Sequence, residues 1–162
     1  MYQKMRSEVF VAVVLLSFLP LELGAQAVVE NYTSVTDDRL INPEEHNWLS
    51  YRGTLDGWGY SKLDQINDTN IEELQPVWRF STGVLGGHES PPIVNDGVMF
   101  ITTPGNFLYA IEAATGNLLW RYQHNLPESY IAFHRTNRGV ALYGDKVYMA
   151  TLDARVVALD AA

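Results

Sequence analysis

The fold is decided by the segment Asp96-Gly97-Val98-Met99-Phe100-Ile101-Thr102, which recurs as Asp145-Lys146-Val147-Tyr148-Met149-Ala150-Thr151 at an offset of 49. After a gap of one residue, Ala110-Ile111-Glu112-Ala113-Ala114 recurs as Ala158-Leu159-Asp160-Ala161-Ala162 at an offset of 48. Repeats with a period of roughly 20 to 50 residues are typical of solenoids and propellers. Because one period contains several β-rich runs, the repeat favours the blades of a β-propeller.

The rest of the chain supports an all-β reading with short helices near its start. Turn segments such as Thr115-Gly116-Asn117 separate β-rich runs. The segment Asn42-Pro43-Glu44-Glu45 predicts the start of one helix, and Thr69-Asn70-Ile71-Glu72 predicts a capping box for a second helix that Pro76 ends early. The predicted strands cover residues 77–81, 98–102, 107–111, 118–122, 147–151 and 155–159.

The N-terminus has the pattern of an export signal. Lys4 and Arg6 precede an apolar run at residues 9–19, and Ala25-Gln26-Ala27 forms an A-x-A cleavage site. The alternative is a membrane anchor, but a span needs roughly 20 apolar residues. We expect residues 1–27 to be a cleaved signal peptide and the protein to be periplasmic, without a stable membrane span. Residues 28–162 would then form the first blades of the propeller.

The composition excludes several classes of function. The 162 residues include 11 basic and 19 acidic side chains, for a net charge of −8, which argues against nucleic acid or an anionic membrane surface as the main partner. The absence of cysteine from the sequence excludes disulfides, zinc-thiolate sites and c-type haem attachment within these residues. The four histidines show no metal-ligand spacing, and no Walker loop or dinucleotide fingerprint occurs.

The second copy of the repeat stops within its motif. The first copy continues through Thr115-Gly116 to Trp120, whereas the second ends at Ala162. We therefore expect this chain to be the N-terminal fragment of a longer propeller.

Several motifs resemble those of quinoprotein dehydrogenases. The stretch Ala110-Ile111-Glu112-Ala113-Ala114-Thr115-Gly116-Asn117-Leu118-Leu119-Trp120 is similar to their tryptophan-docking motif. Trp48-Leu49-Ser50-Tyr51-Arg52-Gly53, the stretch at 74–83 and Asn137-Arg138-Gly139-Val140-Ala141-Leu142-Tyr143 resemble the methanol/ethanol dehydrogenase family. The resemblance covers roughly residues 47–162.

That resemblance implies an eight-bladed propeller with pyrroloquinoline quinone (PQQ) on its axis and Ca²⁺ beside the quinone. It implies hydride transfer from an alcohol to PQQ and a c-type cytochrome as electron acceptor. The catalytic Asp and the calcium ligands of the family are expected beyond residue 162, so this fragment alone should be inactive. The alternative is a non-enzymatic PQQ-repeat propeller that acts as a scaffold of the cell envelope.

The resemblance assigns cofactor-binding roles to three residues. Glu89 aligns with a family Glu that contacts PQQ, and a carboxylate can accept a hydrogen bond from the pyrrole N–H of the cofactor. Arg138 aligns with an Arg near the quinone oxygens, where a fixed positive charge stabilises charge that develops on reduction. Asn137 is a weaker candidate and a plausible turn former through an Asx motif.

The chain departs from the family at two adjacent positions. Where many relatives have vicinal cysteines packed on PQQ, this sequence has Ala132 and Phe133. The hypothesis is that Phe133, or His134 beside it, supplies a flat surface over the cofactor instead. An ordinary loop Phe is the alternative.

Overall fold

The structure is a computed structural model that describes Val29 and residues 32–127, 129–130 and 134–162. These residues form two antiparallel sheets, preceded by a short α-helix, α1 (Asp37–Ile41), and a 3₁₀ turn (Ile71–Glu73). The first sheet, blade 1, contains β1 (Ile93–Asn95), β2 (Val98–Thr103), β3 (Phe107–Glu112) and β4 (Leu118–Gln123) in that spatial order. The second sheet, blade 2, contains β5 (Ala141–Tyr143), β6 (Lys146–Ala150) and β7 (Val156–Asp160). The predicted all-β propeller architecture is confirmed.

Each strand of a blade pairs with the next strand in the chain because the turns between them are tight. The β1–β2 turn contains Asp96 and Gly97 at φ 47° and 80°, the left-handed conformation that two-residue hairpins require. In blade 1, Phe100 pairs with Ala110, and Ala110 pairs with Trp120. In blade 2, Tyr148 pairs with Ala158. The meander of a propeller blade follows directly from these pairings.

The register shows that blade 2 repeats blade 1 at a constant offset of 48. The pair Ile93–Phe100 corresponds to Ala141–Tyr148, and the pair Phe100–Ala110 corresponds to Tyr148–Ala158. The offset of 49 that the sequence match indicates for β2 and β6 is therefore wrong by one residue. The turns before and after β6 set its register, and they place its apolar residues one position away from the apparent match.

The core lies between the two blades. The face of blade 1 that looks toward blade 2 contains Phe100, Leu108 and Ala110, all with 0% exposure. This face packs against Leu142, Val147, Met149 and Ala161 of blade 2 within a single apolar cluster. Each blade thus covers an apolar face of its neighbour, and a single blade would leave that face exposed to water.

Trp120 links the two blades, and Trp78 links the segment before β1 to blade 1. The indole N–H of Trp120 on β4 donates to the carbonyl of Ala161 in blade 2, at 3.4 Å. The indole N–H of Trp78 donates to the carbonyl of Ala113 in blade 1, at 3.0 Å. A Cβ added to Gly116 would lie 2.6 Å from the ring of Trp78, so the ring needs a glycine beneath it.

The N-terminal segment contacts the β1–β2 turn of blade 1 and the β5–β6 turn of blade 2. Val35 pairs with Gly144 of blade 2, and Trp48 pairs with Val94 of blade 1. Between these bridges, the guanidinium of Arg39 binds both carboxylate oxygens of Glu44 at 2.7 and 3.0 Å. Its hydrogen bonds, with one from Asn47, lower the pKa of Glu44 to about 2.

Several local predictions differ from the structure. The helix predicted to start at Asn42-Pro43 is wrong, because the first helix spans Asp37–Ile41 and Asn42 caps its C-terminal end. Its N-cap is Thr36, whose hydroxyl accepts a hydrogen bond from the Arg39 N–H. The second helix is only a 3₁₀ turn, without a side-chain cap. The strand predicted at residues 77–81 is wrong, because these residues form no strand and join no sheet among the described residues. Strands β1 and β5 were not predicted, since each has only three residues. The proposed signal peptide lies outside the described residues.

Candidate functional site

The candidate site lies at the end of the blades where β1 and β3 begin and β2 and β4 end, hereafter the upper end. Antiparallel pairing brings four loop segments to this end. They precede β1, connect β2 to β3, follow β4 and precede β5. Glu89 lies in the first of these segments and Arg138 in the last, so residues 49 positions apart meet here.

The structure brings the two principal site candidates into contact. Nε of Arg138 lies 3.2 Å from Oε2 of Glu89. The side chains are 80% and 49% exposed, respectively. An ion pair this exposed contributes little to stability because solvent screens it. Both charged groups are therefore accessible to a ligand at the upper end, which is what a binding role requires.

Gly139, the residue after Arg138, lies close to the side chains of Ser90 and Pro91, which follow Glu89. Gly139 has a φ of 112°, and a Cβ at this position would lie 3.5 Å from both Oγ of Ser90 and Cδ of Pro91. The Ser90 hydroxyl accepts a hydrogen bond from the Thr102 N–H at 3.0 Å, which ties this segment to β2. The turn that carries Arg138 therefore rests on the segment that carries Glu89.

Asn137 lies under this turn rather than on its surface. It is 5% exposed, and its Nδ2 donates to the carbonyl of Ala150 on β6 at 2.8 Å. Its Oδ1 accepts from the Gly139 N–H at 3.2 Å, which is an Asx turn. The turn-forming role is therefore present in the structure and positions Arg138, while a cofactor contact of Asn137 stays a prediction.

A second side-chain pair at the upper end, His124 and Asp153, was missed by the sequence analysis. Nε2 of His124, after β4, lies 3.0 Å from the carboxylate of Asp153 in the β6–β7 turn, and their side chains are 15% and 12% exposed. Hydrogen bonds from Thr151 and then His124 lower the pKa of Asp153 to about 2. No short motif links residues 29 positions apart, so only the pairing of the blades reveals this contact.

A groove of about 560 Å³ opens at the upper end. Three loops of blade 1 and the segment that precedes β5 form its walls. Its polar side chains include His124, Gln123, Asn125, His134 and Arg135, and no carboxylate lines it among the residues that the structure describes. Glu89 and Arg138 do not line this groove, although Gly87 and Thr136 from their two segments do.

Another site prediction concerns the positions where many relatives have vicinal cysteines. Ala132 and Phe133 lie outside the described residues, whereas His134 is described and exposed. Within the described ranges, no group of three or more His, Asp or Glu side chains is placed to hold a metal ion. None of the described helices is long and apolar enough to cross a membrane.

Comparisons with known proteins agree with this architecture. The sequence profile of the β-propeller domain of glucose/ethanol/alcohol dehydrogenases, designated PQQ, matches residues 48–162. The chain is 38% identical over 152 residues to a quinoprotein ethanol dehydrogenase of Pseudomonas putida, covering 92% of this chain and 24% of that protein. It is 36% identical to the dehydrogenase subunit of a quinone-dependent alcohol dehydrogenase of Gluconacetobacter polyoxogenes, covering 85% and 19%.

Solved structures show the same likeness. The quinohemoprotein alcohol dehydrogenase ADHIIG of Pseudomonas putida HK5 superposes with a TM-score of 0.72 at 38% identity, covering 79% of this chain and 19% of that one. A europium-containing methanol dehydrogenase superposes with a TM-score of 0.71 at 32% identity, covering 77% and 23%. The chain spans about a quarter or less of the length of these relatives.

Proposed function

Because the chain belongs to the glucose/ethanol/alcohol dehydrogenase β-propeller family, we propose that the complete propeller oxidises alcohols with PQQ as its electron acceptor. The observation that carries this proposal is the Glu89–Arg138 pair. Two residues selected for cofactor binding from the sequence lie 3.2 Å apart and are open to solvent at one end of the blades.

The chemistry of this pair fits PQQ. The cofactor has carboxylates, quinone oxygens and one pyrrole N–H. The guanidinium of Arg138 is a donor for the oxygens, and the carboxylate of Glu89 is an acceptor for the N–H. When bound, PQQ would supply a quinone that accepts the hydride of the alcohol, and with it the two electrons of the oxidation.

The residues of this chain would bind and orient the cofactor rather than react with the alcohol. The guanidinium of Arg138 would place a permanent positive charge near the quinone oxygens, where it would stabilise the negative charge that develops on reduction. Asn137 holds the turn under Arg138, and Ser90 holds the segment that carries Glu89. The His124–Asp153 pair joins the two blades beside the groove, so the loops are held before any ligand arrives.

The metal, the electron acceptor and the location are parts of the same proposal. We propose Ca²⁺ as the metal, held by ligands outside the described residues, and we assign it no step here. A c-type cytochrome as acceptor and a periplasmic location are supported by the sequence resemblance and by the export-signal pattern at residues 1–27.

The test is alcohol-dependent reduction of an artificial electron acceptor by the complete propeller, with ethanol as substrate. We expect activity when both PQQ and Ca²⁺ are added and none when PQQ is omitted. Stoichiometric PQQ binding without any alcohol oxidation would support a scaffold instead. The absence of both binding and oxidation would contradict the proposal altogether.

A further inference from the structure

The turn between β2 and β3 contacts the segment that leads to Arg138. The N–H of Gly105 in this turn donates to the carbonyl of Arg135 at 2.9 Å. The next residue of the turn, Asn106, accepts a hydrogen bond through its Oδ1 from Nδ2 of Asn137 at 3.4 Å. Both partners stand just before Arg138 in the chain. The turn of blade 1 therefore binds the approach to Arg138 at two points.

Asn106 also binds two other elements at the upper end. Its Oδ1 accepts from the N–H of Leu152, in the β6–β7 turn of blade 2, at 3.1 Å. Its backbone carbonyl accepts from the N–H of His124, directly after β4, at 3.0 Å. One residue thus joins the end of β4, the β6–β7 turn and the segment before β5.

The position of Asn106 is unfavourable for stability in one respect. Its side chain has 0% exposure, and its Nδ2 has no hydrogen-bond partner among the described residues. A buried donor without a partner costs about 1–3 kcal/mol. Rules of this kind are broken most often at functional sites.

The backbone alone does not explain the residue. Asn106 has a φ of 62°, the left-handed conformation that glycine adopts without a steric cost. A glycine would meet this requirement and would bury no unpaired donor. The feature that Asn106 adds to a glycine is the amide oxygen that binds Leu152 and Asn137.

We propose that Asn106 is a positioning residue of the cofactor site. Its Oδ1 holds the amide of Asn137, whose own Oδ1 accepts from the Gly139 N–H at 3.2 Å. Arg138 lies between these two residues in the turn. Because Asn106 is fully buried, it acts on the guanidinium through this turn and does not touch the cofactor. The inference rests on the proposed function, which assigns Arg138 to PQQ.

The exposure of Arg138 explains why its turn needs support. The side chain is 80% exposed, so few contacts of its own restrict it. Binding is tighter when the backbone beneath a binding group is held before the ligand arrives, because less conformational entropy is then lost. The amide of Asn106 supplies part of that support from below.

The first experiment measures the turn in the complete propeller without PQQ. Hydrogen exchange followed by mass spectrometry reports the protection of the backbone amides at residues 134–140. Asn106→Gly removes the amide oxygen and keeps a residue suited to a positive φ. We expect exchange in this segment to become at least about tenfold faster in Asn106→Gly than in the wild type.

The matched control is Asn95→Ala. Asn95 also has 0% exposure and donates through its Nδ2 to the carbonyl of Thr33 at 2.8 Å. It stands at the end of β1, and so at the opposite end of blade 1 from Arg138. Asn95→Ala should lower the free energy of unfolding, measured in urea, without faster exchange at residues 134–140.

The second experiment tests whether Asn106 acts through Arg138. Equilibrium dialysis should show PQQ binding about tenfold weaker in Asn106→Gly and unchanged in Asn95→Ala. Asn106→Gly/Arg138→Gln should bind PQQ no more weakly than Arg138→Gln alone, because non-additive losses identify residues that act together.

The two readouts separate this proposal from the proposed function. Faster exchange in Asn106→Gly, with PQQ binding unaffected by Arg138→Gln, would retain the support of the turn by Asn106 and contradict the cofactor role of Arg138. Unchanged exchange in Asn106→Gly would overturn the positioning role. Losses of affinity that add up in the double variant would overturn it as well.

Discussion

A paired glycine experiment tests how tryptophan docking holds the propeller together. Gly116 has a φ of 77°, and a Cβ there would meet Cδ2 and Cε3 of Trp78 at 2.6 Å. Gly97 has a φ of 80°, and a Cβ there would meet nothing within 4 Å. Replacing either glycine by alanine adds a left-handed alanine, at about 1–2 kcal/mol. Only Gly116→Ala also overpacks the ring, at about 1–3 kcal/mol more.

We therefore expect Gly116→Ala to lower the free energy of unfolding by about 1–3 kcal/mol more than Gly97→Ala. Urea unfolding measures both values, and the NMR resonance of the Trp78 indole N–H reports its bond to the Ala113 carbonyl. This resonance should shift in Gly116→Ala and stay in place in Gly97→Ala. Equal losses of stability in the two variants, within about 0.5 kcal/mol, would refute the reasoning that the ring needs the glycine.

Two further predictions concern the upper end of the blades. Because the pKa of Asp153 is lowered to about 2 from an ordinary value of about 3.9, its contribution to stability is complete above about pH 5 and is lost as the pH falls through 2. Asp153→Asn should therefore lower the melting temperature at pH 7, measured by circular dichroism. The difference in melting temperature between the variant and the wild type should shrink as the pH falls from about 5 to about 2. A difference that stays constant over this range would contradict the prediction. Asn137→Ala should cost about 1–3 kcal/mol in urea unfolding because the Ala150 carbonyl loses its donor, and a loss below about 0.5 kcal/mol would show that water replaces the amide.

The blade architecture could be predicted because its signals are local and repeated. The β-rich runs around Phe100 and Ala110 alternate with Gly-containing turns, and the structure places strands there within one or two residues. The prediction was wrong where local signals compete. Asn42 and Pro43 together fit a helix start, but Thr36 caps a helix that already ends at Ile41. Residues 77–81 have strand-like sequence, yet a strand also needs a partner.

The candidate site could be predicted only residue by residue. The resemblance selected Glu89 and Arg138, but no pattern in the sequence indicates that they form an ion pair. That contact joins the segment before β1 to the segment before β5, and these two segments lie together only because the two blades pack side by side. The His124–Asp153 pair was missed for the same reason, since its partners lie on different blades and match no motif.

The most direct test of the central claim is the affinity of the complete propeller for PQQ, measured by equilibrium dialysis for two matched variants. Arg138→Gln removes an arginine that lies 3.2 Å from Glu89 and is 80% exposed. Arg155→Gln removes one that lies 3.2 Å from Asp153 and is 72% exposed, in the β6–β7 turn. A charge-assisted hydrogen bond contributes about 1.5–3 kcal/mol, so Arg138→Gln should weaken binding roughly tenfold or more while Arg155→Gln leaves it unchanged. Equal affinity of the two variants and the wild type would contradict a cofactor-binding role for the Glu89–Arg138 pair.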